Sequence, residues 1–275
     1  MSASAPIGVF DSGIGGLTVV RAIHALLPHE STLYLGDTAR VPYGSKSPAT
    51  VRRYAHEILH WLEQHEVKAV VVACNTATAH ALDELREASR VPVIGVIEPG
   101  ARAAAVASRG GTVGVIGTAG TILSGAYRRA LQRLRPELVV VEQPCPLFVP
   151  LVEEGWFDHP ATRLVAEEYL APLRAAGVDT IVLGCTHYPM LSGLIGTVLG
   201  PGVVRIDSAT ETARELAQVI AALDLAAPDG TPVHHRWAAT DDVARFARVG
   251  AIFVGEPLMD IELAELAELG GERVS

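Results

Sequence analysis

Two similar stretches, IGVFDSG at residues 7–13 and VGVIGTAG at residues 113–120, decide the fold of this chain. Each begins with a short, continuously apolar run and ends in a loop of glycine and small polar residues. Such runs are typical of parallel strands that are buried on both faces and connected by crossover helices. The two stretches therefore predict an α/β protein that contains one fold twice.

The similarity continues outward from these stretches. In the same alignment, LYLGD at residues 33–37 falls on VVVEQ at residues 139–143. At a slightly larger offset, VKAVVVACNTA at residues 67–77 falls on VDTIVLGCTHY at residues 178–188. This alignment places a cysteine at the same position of each half, directly after a predicted strand.

Further apolar runs complete the predicted architecture. The predicted strands cover residues 7–10, 32–35, 68–73, 93–96, 112–117, 138–142, 180–184 and 203–206. Helices are predicted at residues 17–27 and 50–65. We expect two similar three-layer α/β/α domains with mostly parallel sheets, one from residues 1–97 with 207–275 and the other from residues 98–206. The last segment is expected to return as helices and at most one strand. Ligands of open α/β sheets bind beyond the carboxyl ends of the strands, so we expect the active site in the cleft between the domains.

The composition excludes several classes of protein. The chain has 22 Lys and Arg against 31 Asp and Glu, a net charge of −9, so no nucleic-acid partner is expected. Its 3 cysteines are too few and too widely spaced for a secreted disulfide scaffold and fit a cytoplasmic protein. The first ten residues do not resemble a signal peptide. Residues 180–204 contain no Asp, Glu, Lys or Arg, but glycine and proline turns predict a buried strand, loop and helix there, not a membrane span.

No metal or organic cofactor is expected. The sequence contains no HExxH, EF-hand or P-loop motif, and the pair His234 and His235 stands alone. The 2 lysines are Lys46, in a loop, and Lys68, at the start of a buried strand, and neither stands out as a Schiff-base lysine. The sequence therefore predicts chemistry that needs no cofactor.

The strongest chemical signal is the pair of cysteines in ACNTA and GCTHYP. A lone buried cysteine is usually inert. Cys74 and Cys185, however, occupy matching positions of a repeat, each followed by hydrogen-bonding residues and a predicted helix N-terminus. Such a setting would lower the pKa of a thiol below its usual value of about 8.5 and supply thiolate near neutral pH. Cys145 lies between two prolines, lacks this setting and is predicted to be structural.

Two thiols on opposite sides of a cleft suit the racemisation of an amino acid. That reaction needs a base on one face of the α-carbon and an acid on the other. The two sulfurs would then lie about 6–7 Å apart with the substrate between them. Disulfide chemistry is the alternative, but it requires the sulfurs in contact, and the chain has no CxxC pair.

The loop DSGIGG at residues 11–16 follows a strand and opens a helix. Its glycines could let the backbone approach an anionic ligand at the helix N-terminus. In the alternative interpretation, Asp11 or Ser12 merely caps that helix. Asp11 has no acidic counterpart in the second half, where Gly117 takes its place, and this asymmetry favours a specific chemical role.

The loop at residues 37–47 is rich in turn residues. It carries Tyr43 and Gly44, whose hydroxyl and backbone amides could hold a carboxylate. A plain surface turn is the alternative interpretation of this loop.

Taken together, these motifs resemble those of the glutamate racemases, in the aspartate/glutamate racemase superfamily. The motifs that carry the resemblance are DSGIGG from Asp11, VPYG from Val41, ACNTATA from Ala73, GVIEPG from Gly95 and LGCTHYP from Leu183. They keep the family's order and spacing to about Val219, and the rest of the chain is similar only loosely, through HHRW at residues 234–237. The resemblance implies a two-domain α/β enzyme that interconverts L- and D-glutamate without a cofactor and supplies D-glutamate for peptidoglycan. It also implies a homodimer.

The resemblance further implies roles for individual residues. The cysteine matching Cys74 removes the α-proton of D-glutamate, and the one matching Cys185 removes that of L-glutamate. Asp11 assists Cys74, and His187 assists Cys185. Asp37 and Glu153 are implied to lie near the site. The implied substrate contacts are Asp11, Ser12, Tyr43, Gly44, Asn75, Thr76, Thr186 and His187.

Two other functions stay open at this point. The same two-thiol chemistry could act on aspartate or another acidic amino acid, although DSGIGG and the HYP after Cys185 favour glutamate. The chain could also be a catalytically idle ligand-binding module or a regulator that binds another protein. Both cysteines and the polar loops around them argue against an idle protein.

Overall fold

The computed structural model of the protein describes residues 2–267. The strands are β1 (Ile7–Asp11), β2 (Thr32–Gly36), β3 (Ala69–Val72), β4 (Val93–Gly95), β5 (Thr112–Gly117), β6 (Val139–Pro144), β7 (Thr180–Gly184), β8 (Val204–Asp207), β9 (His235–Ala239) and β10 (Glu262–Leu263). The helices are α1 (Leu17–Leu26), α2 (Pro48–Gln64), α3 (Asn75–Ala88), α4 (Ile97–Ala107), α5 (Ala119–Leu123), α6 (Ala126–Leu134), α7 (Phe148–Glu153), α8 (Pro160–Ala175), α9 (Ser192–Leu199), α10 (Ser208–Ala222) and α11 (Val243–Val254). None of the helices in this part of the chain is long and apolar enough to span a bilayer.

Within residues 2–267 the strands form two parallel sheets. The first has the order β10-β9-β2-β1-β3-β4, and the second has the order β6-β5-β7-β8. The order β2-β1-β3-β4 is therefore repeated by β6-β5-β7-β8, as the alignment of the two halves predicts. The two-domain α/β fold class is confirmed. The domain boundaries stay predictions, and residues 268–275 of the first predicted domain lie outside the described residues.

Each predicted strand is present, with bounds within two residues of those expected. The run 180–204, which lacks Asp, Glu, Lys and Arg, forms β7, a short 3-10 turn and α9, which confirms the predicted strand, loop and helix. The expectation for the C-terminal segment is wrong in one respect, because it contributes two strands, β9 and the very short β10. They extend the first sheet on the side of β2, where β9 pairs with β2 and β10 pairs with β9.

Helices cover both faces of each sheet because successive side chains of a strand point to opposite faces. In β1, Val9 belongs to the core cluster shared with α1, α10 and α11, whereas Phe10 belongs to the cluster shared with α2 and α3. In β7, Ile181 packs toward α8 and α9, and Val182 packs toward α4 and α6. All four side chains are buried, which explains the continuously apolar strands.

A buried ion pair anchors the C-terminal segment to the first sheet. Lys68, at the start of β3, pairs with Glu30 and also donates to the carbonyl of Ala3 at 2.5 Å. The amide of Ala227 donates to the other Glu30 oxygen at 2.9 Å. The Lys68–Glu30 pair is therefore hydrogen-bonded both to the N-terminal segment, at Ala3, and to the C-terminal segment, at Ala227, and each buried charge has a partner.

A second contact with this segment is a pair of histidines. The rings of His24, on α1, and His235, on β9, stack with centroids 3.7 Å apart. The hydroxyl of Thr32 lies 2.9 Å from His24 Nε2 and 3.0 Å from His235 Nδ1. Burial, together with the nearby charge of His235, lowers the pKa of His24 to about 4. The neutral form of His24 is therefore the one that the folded protein favours.

We expect acid to destabilise the protein through His24. Its folded pKa is below the unfolded value of about 6.5, so the unfolded chain takes up the proton first. This contribution to stability is intact above about pH 6.5 and is lost as the pH falls toward about 4. The partly exposed position makes the expected loss about 1–2 kcal/mol between pH 7 and pH 4.5.

Urea unfolding at the two pH values tests this expectation. His24→Gln should lose about 1–2 kcal/mol less than the wild type on acidification. His29→Gln, which removes an exposed histidine five residues away, should behave like the wild type. Equal acid sensitivity of the two variants would contradict the assignment to His24.

Candidate active site

The two cysteines of the repeat lie at the carboxyl ends of equivalent strands. Cys74 follows β3 and is the N-cap residue of α3, where its sulfur accepts a hydrogen bond from the Ala77 amide at 3.4 Å. Cys185 follows β7, but a 3-10 turn at Tyr188–Leu191 comes next, and α9 begins only at Ser192. The predicted helix N-terminus is therefore present at Cys74, and the prediction is wrong for Cys185. The exposed fraction is 5% for Cys74 and 7% for Cys185.

The electrostatic setting of Cys74 is the reverse of the one expected. Burial, followed by the nearby Asp11 carboxylate, raises the pKa of its thiol to about 12. Hydrogen bonds from the Ala77 amide and the Ser12 hydroxyl oppose the shift but are weaker. The expectation of a lowered thiol pKa is thus wrong for Cys74, because the loss of solvation outweighs the donors at the helix start. Near neutral pH Cys74 is a thiol and can donate a proton.

Asp11 ends β1 and is almost completely buried. One of its oxygens accepts a hydrogen bond from the Gly13 amide at 3.1 Å. Burial raises the pKa of Asp11, and the positive charge of His187 lowers it. The N-cap residue of α1 is Gly16, with no side-chain cap, so the interpretation of Asp11 or Ser12 as a helix cap is wrong. Asp11 instead lies close enough to Cys74 to raise the pKa of that thiol, and close enough to His187 for the imidazolium to lower the pKa of Asp11.

On the opposite side of the site, three side chains form a chain of polar contacts. The Cys185 sulfur is 3.8 Å from His187 Nδ1, and His187 Nε2 is 3.0 Å from an oxygen of Glu153 at the end of α7. Burial disfavours the charged imidazole, but the contacts with Cys185 and Glu153 outweigh burial and raise the pKa of His187 to about 10. His187 therefore carries a positive charge at neutral pH, next to the Cys185 sulfur.

The glycine-rich loop contacts this second group directly. A Cβ atom at Gly15 would lie 2.3 Å from the Thr186 hydroxyl oxygen and 2.4 Å from His187 Nδ1. The Thr18 hydroxyl donates to the Thr186 carbonyl at 3.1 Å. Only glycine permits this approach. The loop thus holds the segment that carries Cys185 and His187.

An unpartnered amide lies beside Cys74. The Tyr127 hydroxyl donates to Asn75 Oδ1 at 2.7 Å, which fixes the orientation of the Asn75 side chain. Asn75 Nδ2 is buried and finds no hydrogen-bond acceptor in the described part of the chain. Buried donors in native proteins almost always have a partner. Nδ2 is therefore placed to bind an acceptor that enters the cleft, such as a carboxylate oxygen.

Thr76 is part of a cluster of hydroxyl groups that joins the two halves. Its hydroxyl oxygen lies 2.9 Å from that of Thr118 and 3.1 Å from that of Thr121. Thr118 was not among the site residues predicted from the sequence. The repeat could have identified it, because the alignment of the two halves places Thr118 on Ser12.

The loop after β2 is arranged differently from the expectation. The Tyr43 hydroxyl donates to Asp37, and Tyr43 is only 1% exposed, so this hydroxyl is already engaged. Asp37 also accepts from Arg40 at 2.7 Å and from Thr240 at 2.9 Å. Gly44 lies against Thr118, where a Cβ atom would be 2.6 Å from the threonine Cβ. Substrate contacts of Tyr43 and Gly44 through their amides, and the role of Asp37, stay predictions.

A cavity of about 350 Å³ opens onto these groups. Its polar lining residues include Ser12, Gly44, Thr118, Glu153 and His187. Its apolar lining residues include Val41, Pro146 and Val149. Neither Cys74 nor Cys185 lines this cavity, but the lining residue His187 is 3.8 Å from the Cys185 sulfur, so a small polar molecule bound there would lie close to that thiol.

Cys145 is the third cysteine of the chain. The Cys145 sulfur is buried and lies 3.6 Å from the carbonyl oxygen of Gln143, in keeping with the predicted structural role. Across residues 2–267, His, Cys, Asp and Glu side chains form no group of three that could hold a metal ion. The sequence missed several residues that contact the predicted site residues, namely Thr118 and Thr121 beside Thr76, Tyr127 beside Asn75, Thr240 beside Asp37 and Arg245 beside Glu153.

Comparisons with known proteins relate the chain to the racemases. A family model described as Asp/Glu/Hydantoin racemase matches residues 8–216. A curated relative, a glutamate racemase of Geobacter metallireducens, is 54% identical over 255 residues, which cover 93% of this chain and 94% of the relative. A glutamate racemase structure from Bacillus anthracis has a TM-score of 0.91 at 41% identity and covers 95% of this chain and 98% of its own. A Francisella tularensis glutamate racemase in complex with D-glutamate has a TM-score of 0.90 at 38% identity, with coverages of 96% and 98%.

Proposed function

The chain belongs to the Asp/Glu/hydantoin racemase family and is a racemase, and from this premise we propose that it interconverts L- and D-glutamate without a cofactor, using Cys74 and Cys185 as its two acid–base groups. One observation carries the two-thiol mechanism: two nearly buried cysteines stand at equivalent strand ends of a duplicated fold. The glutamate racemases among its relatives, one of them solved with D-glutamate, support the choice of substrate.

In the direction from L- to D-glutamate, a thiolate at Cys185 removes the α-proton, and the Cys74 thiol delivers a proton to the opposite face. The raised pKa of Cys74 supports its role as proton donor in this direction. The imidazolium of His187 supports the thiolate form of Cys185. After turnover the proton is on Cys185 and the charge is on Cys74, so the reverse reaction uses the same groups with exchanged roles.

The barrier to forming a carbanion must fall through donors aimed at the substrate. We assign one substrate carboxylate to Asn75 Nδ2, the buried donor without an acceptor among residues 2–267, and to the neighbouring Thr76. The first amides of a helix have no acceptor within the helix, so those at the start of α3 can add to this site. We assign the substrate ammonium group to Asp11, whose charge it would balance.

The remaining predicted contacts complete the proposal. Ser12, Gly44 and Thr186 lie around the cavity or next to His187 and can donate to the second carboxylate. The D-glutamate formed would supply peptidoglycan synthesis. We propose a cytoplasmic enzyme that forms a homodimer and acts without a nucleic-acid or membrane partner.

The proposal can be tested by incubating the purified protein with L-glutamate in D₂O, with L-aspartate in parallel. Loss of optical activity together with deuterium at the α-carbon, for glutamate only, is the expected result. The same result with aspartate only would show that aspartate, and not glutamate, is the substrate. No α-proton exchange with either amino acid would contradict catalysis on acidic amino acids and leave the binding-only function.

A further inference from the structure

Arg245 reaches the proposed active site from outside the segment that the family model matches. It lies in the first turn of α11, whereas the model ends at residue 216. Its guanidinium donates to Glu153 Oε2 at 3.0 Å, and the other oxygen of Glu153 lies 3.0 Å from His187 Nε2. One carboxylate therefore joins Arg245 to the imidazole beside Cys185.

The corner between β9 and α11, residues 240–242, fixes the backbone of Arg245. The side chain of Asp242 accepts a hydrogen bond from the Arg245 amide at 3.0 Å, and its backbone has a φ of 42°. The Thr240 hydroxyl donates to Asp37 at 2.9 Å, and the Asp241 amide donates to the Thr38 hydroxyl at 2.8 Å. These contacts join the corner to the loop after β2, so the backbone that carries the Arg245 side chain is held in place.

The ion pair also joins the two halves of the fold. Arg245 belongs to the segment whose strand β9 extends the first sheet, and Glu153 ends α7, which follows β6 of the second sheet. The side chain of Arg245 is 43% exposed, and that of Glu153 is 17% exposed. The contact therefore lies at the mouth of the cleft, outside the polar chain that leads to Cys185.

We propose that Arg245 is a positioning residue for proton transfer at Cys185, acting through Glu153 and His187. This inference rests on the proposed racemase mechanism. With one oxygen held by the guanidinium, the carboxylate presents its other oxygen to Nε2, and Nδ1 stays directed at the sulfur. Removal of the guanidinium leaves Glu153 with a single charged partner and frees its rotamers, which loosens the imidazole.

Testing this role requires a reaction that separates the two thiols. In racemisation the equilibrium constant is one, so a defect at either thiol lowers kcat/KM equally in both directions. Elimination from 3-chloroglutamate avoids this limit because it needs a base on one face only. The α-proton passes to the thiolate, the electron pair forms the Cα–Cβ double bond and chloride leaves. The enamine product then hydrolyses to 2-oxoglutarate and ammonium. Under the proposed mechanism, the L enantiomer reports on Cys185 alone and the D enantiomer on Cys74 alone.

The variant to test is Arg245→Gln, with Arg248→Gln as the matched control. Arg248 lies one turn further along α11, is exposed and loses the same charge on substitution. We expect Arg245→Gln to lower chloride release from L-3-chloroglutamate about 5-fold and to leave release from the D enantiomer unchanged. Arg245→Lys, which keeps a cation near Glu153, should recover part of the loss.

The outcomes separate this inference from the proposed function. A wild-type protein that does not racemise glutamate would overturn the proposed function and this inference together. If the wild type racemises glutamate but Arg245→Gln matches Arg248→Gln, only the role of Arg245 is overturned. An equal loss with both chloroglutamate enantiomers would also overturn it, since it would indicate a general defect. Thermal unfolding of each variant checks that the fold is kept.

Discussion

Cys74→Ala is expected to lose at least about 10³-fold in racemisation of glutamate while still releasing chloride from L-3-chloroglutamate. Without Cys74, no acid stands on the face opposite Cys185, so the configuration cannot be inverted. The Cys185 thiolate can still take the α-proton of the L enantiomer, and its partner His187 is untouched by the substitution. Release from the D enantiomer should be lost.

Cys185→Ala should give the mirror result, with chloride released from D-3-chloroglutamate only. Ion chromatography of chloride and polarimetry of glutamate measure the two activities on the same samples. Cys145→Ala, which removes the third thiol, is the control and should keep both activities because its sulfur is 3.6 Å from the Gln143 carbonyl, within the core. Full racemisation by either single variant, or chloride release from both enantiomers, would contradict one thiol for each face.

The fold was predictable from the sequence because its strongest signal is local. Parallel strands buried on both faces need continuous apolar runs, and TIVLG at β7 or TVGVIG at β5 can hardly be interpreted otherwise. The repeat then supplied the topology, since equivalent segments fold into equivalent strand orders. The strands β9 and β10 were harder to predict because they are short and partly exposed, and pairing holds them in place, β9 with β2 and β10 with β9.

The chemistry of the site was only half predictable. The sequence identified both cysteines because the repeat pairs them. It could not give the sign of the pKa shift at Cys74, which depends on how completely the folded chain removes water from the sulfur. It also missed Tyr127 and Arg245, whose partners Asn75 and Glu153 are distant in the chain. Such contacts leave no periodic or local pattern in a single sequence.

Asn75→Asp is expected to lower kcat/KM for glutamate about 100-fold at pH 8, mainly through KM. The substitution keeps the shape of the side chain and the acceptor for the Tyr127 hydroxyl. It replaces the free Nδ2 donor, however, with an oxygen that repels a substrate carboxylate. Asn75→Ala also lowers kcat/KM, because it removes both the donor and the acceptor. It introduces no titratable group, so this loss should not change with the protonation of residue 75.

The two variants should differ in their response to pH. Position 75 is buried, so we expect the pKa of the new carboxyl group of Asn75→Asp to be raised above its usual value of about 3.9. As the pH falls, this group takes up a proton and becomes a donor, so the KM of Asn75→Asp should recover toward the wild-type value, whereas that of Asn75→Ala should not. Steady-state kinetics between pH 6 and pH 9 measure this difference. Tyr127→Phe keeps Nδ2 but loosens its orientation, so its kcat/KM for glutamate should fall about 5-fold. Parallel KM profiles for the two Asn75 variants would mean that Nδ2 does not face the substrate carboxylate. The unpaired buried donor would then need a partner other than glutamate.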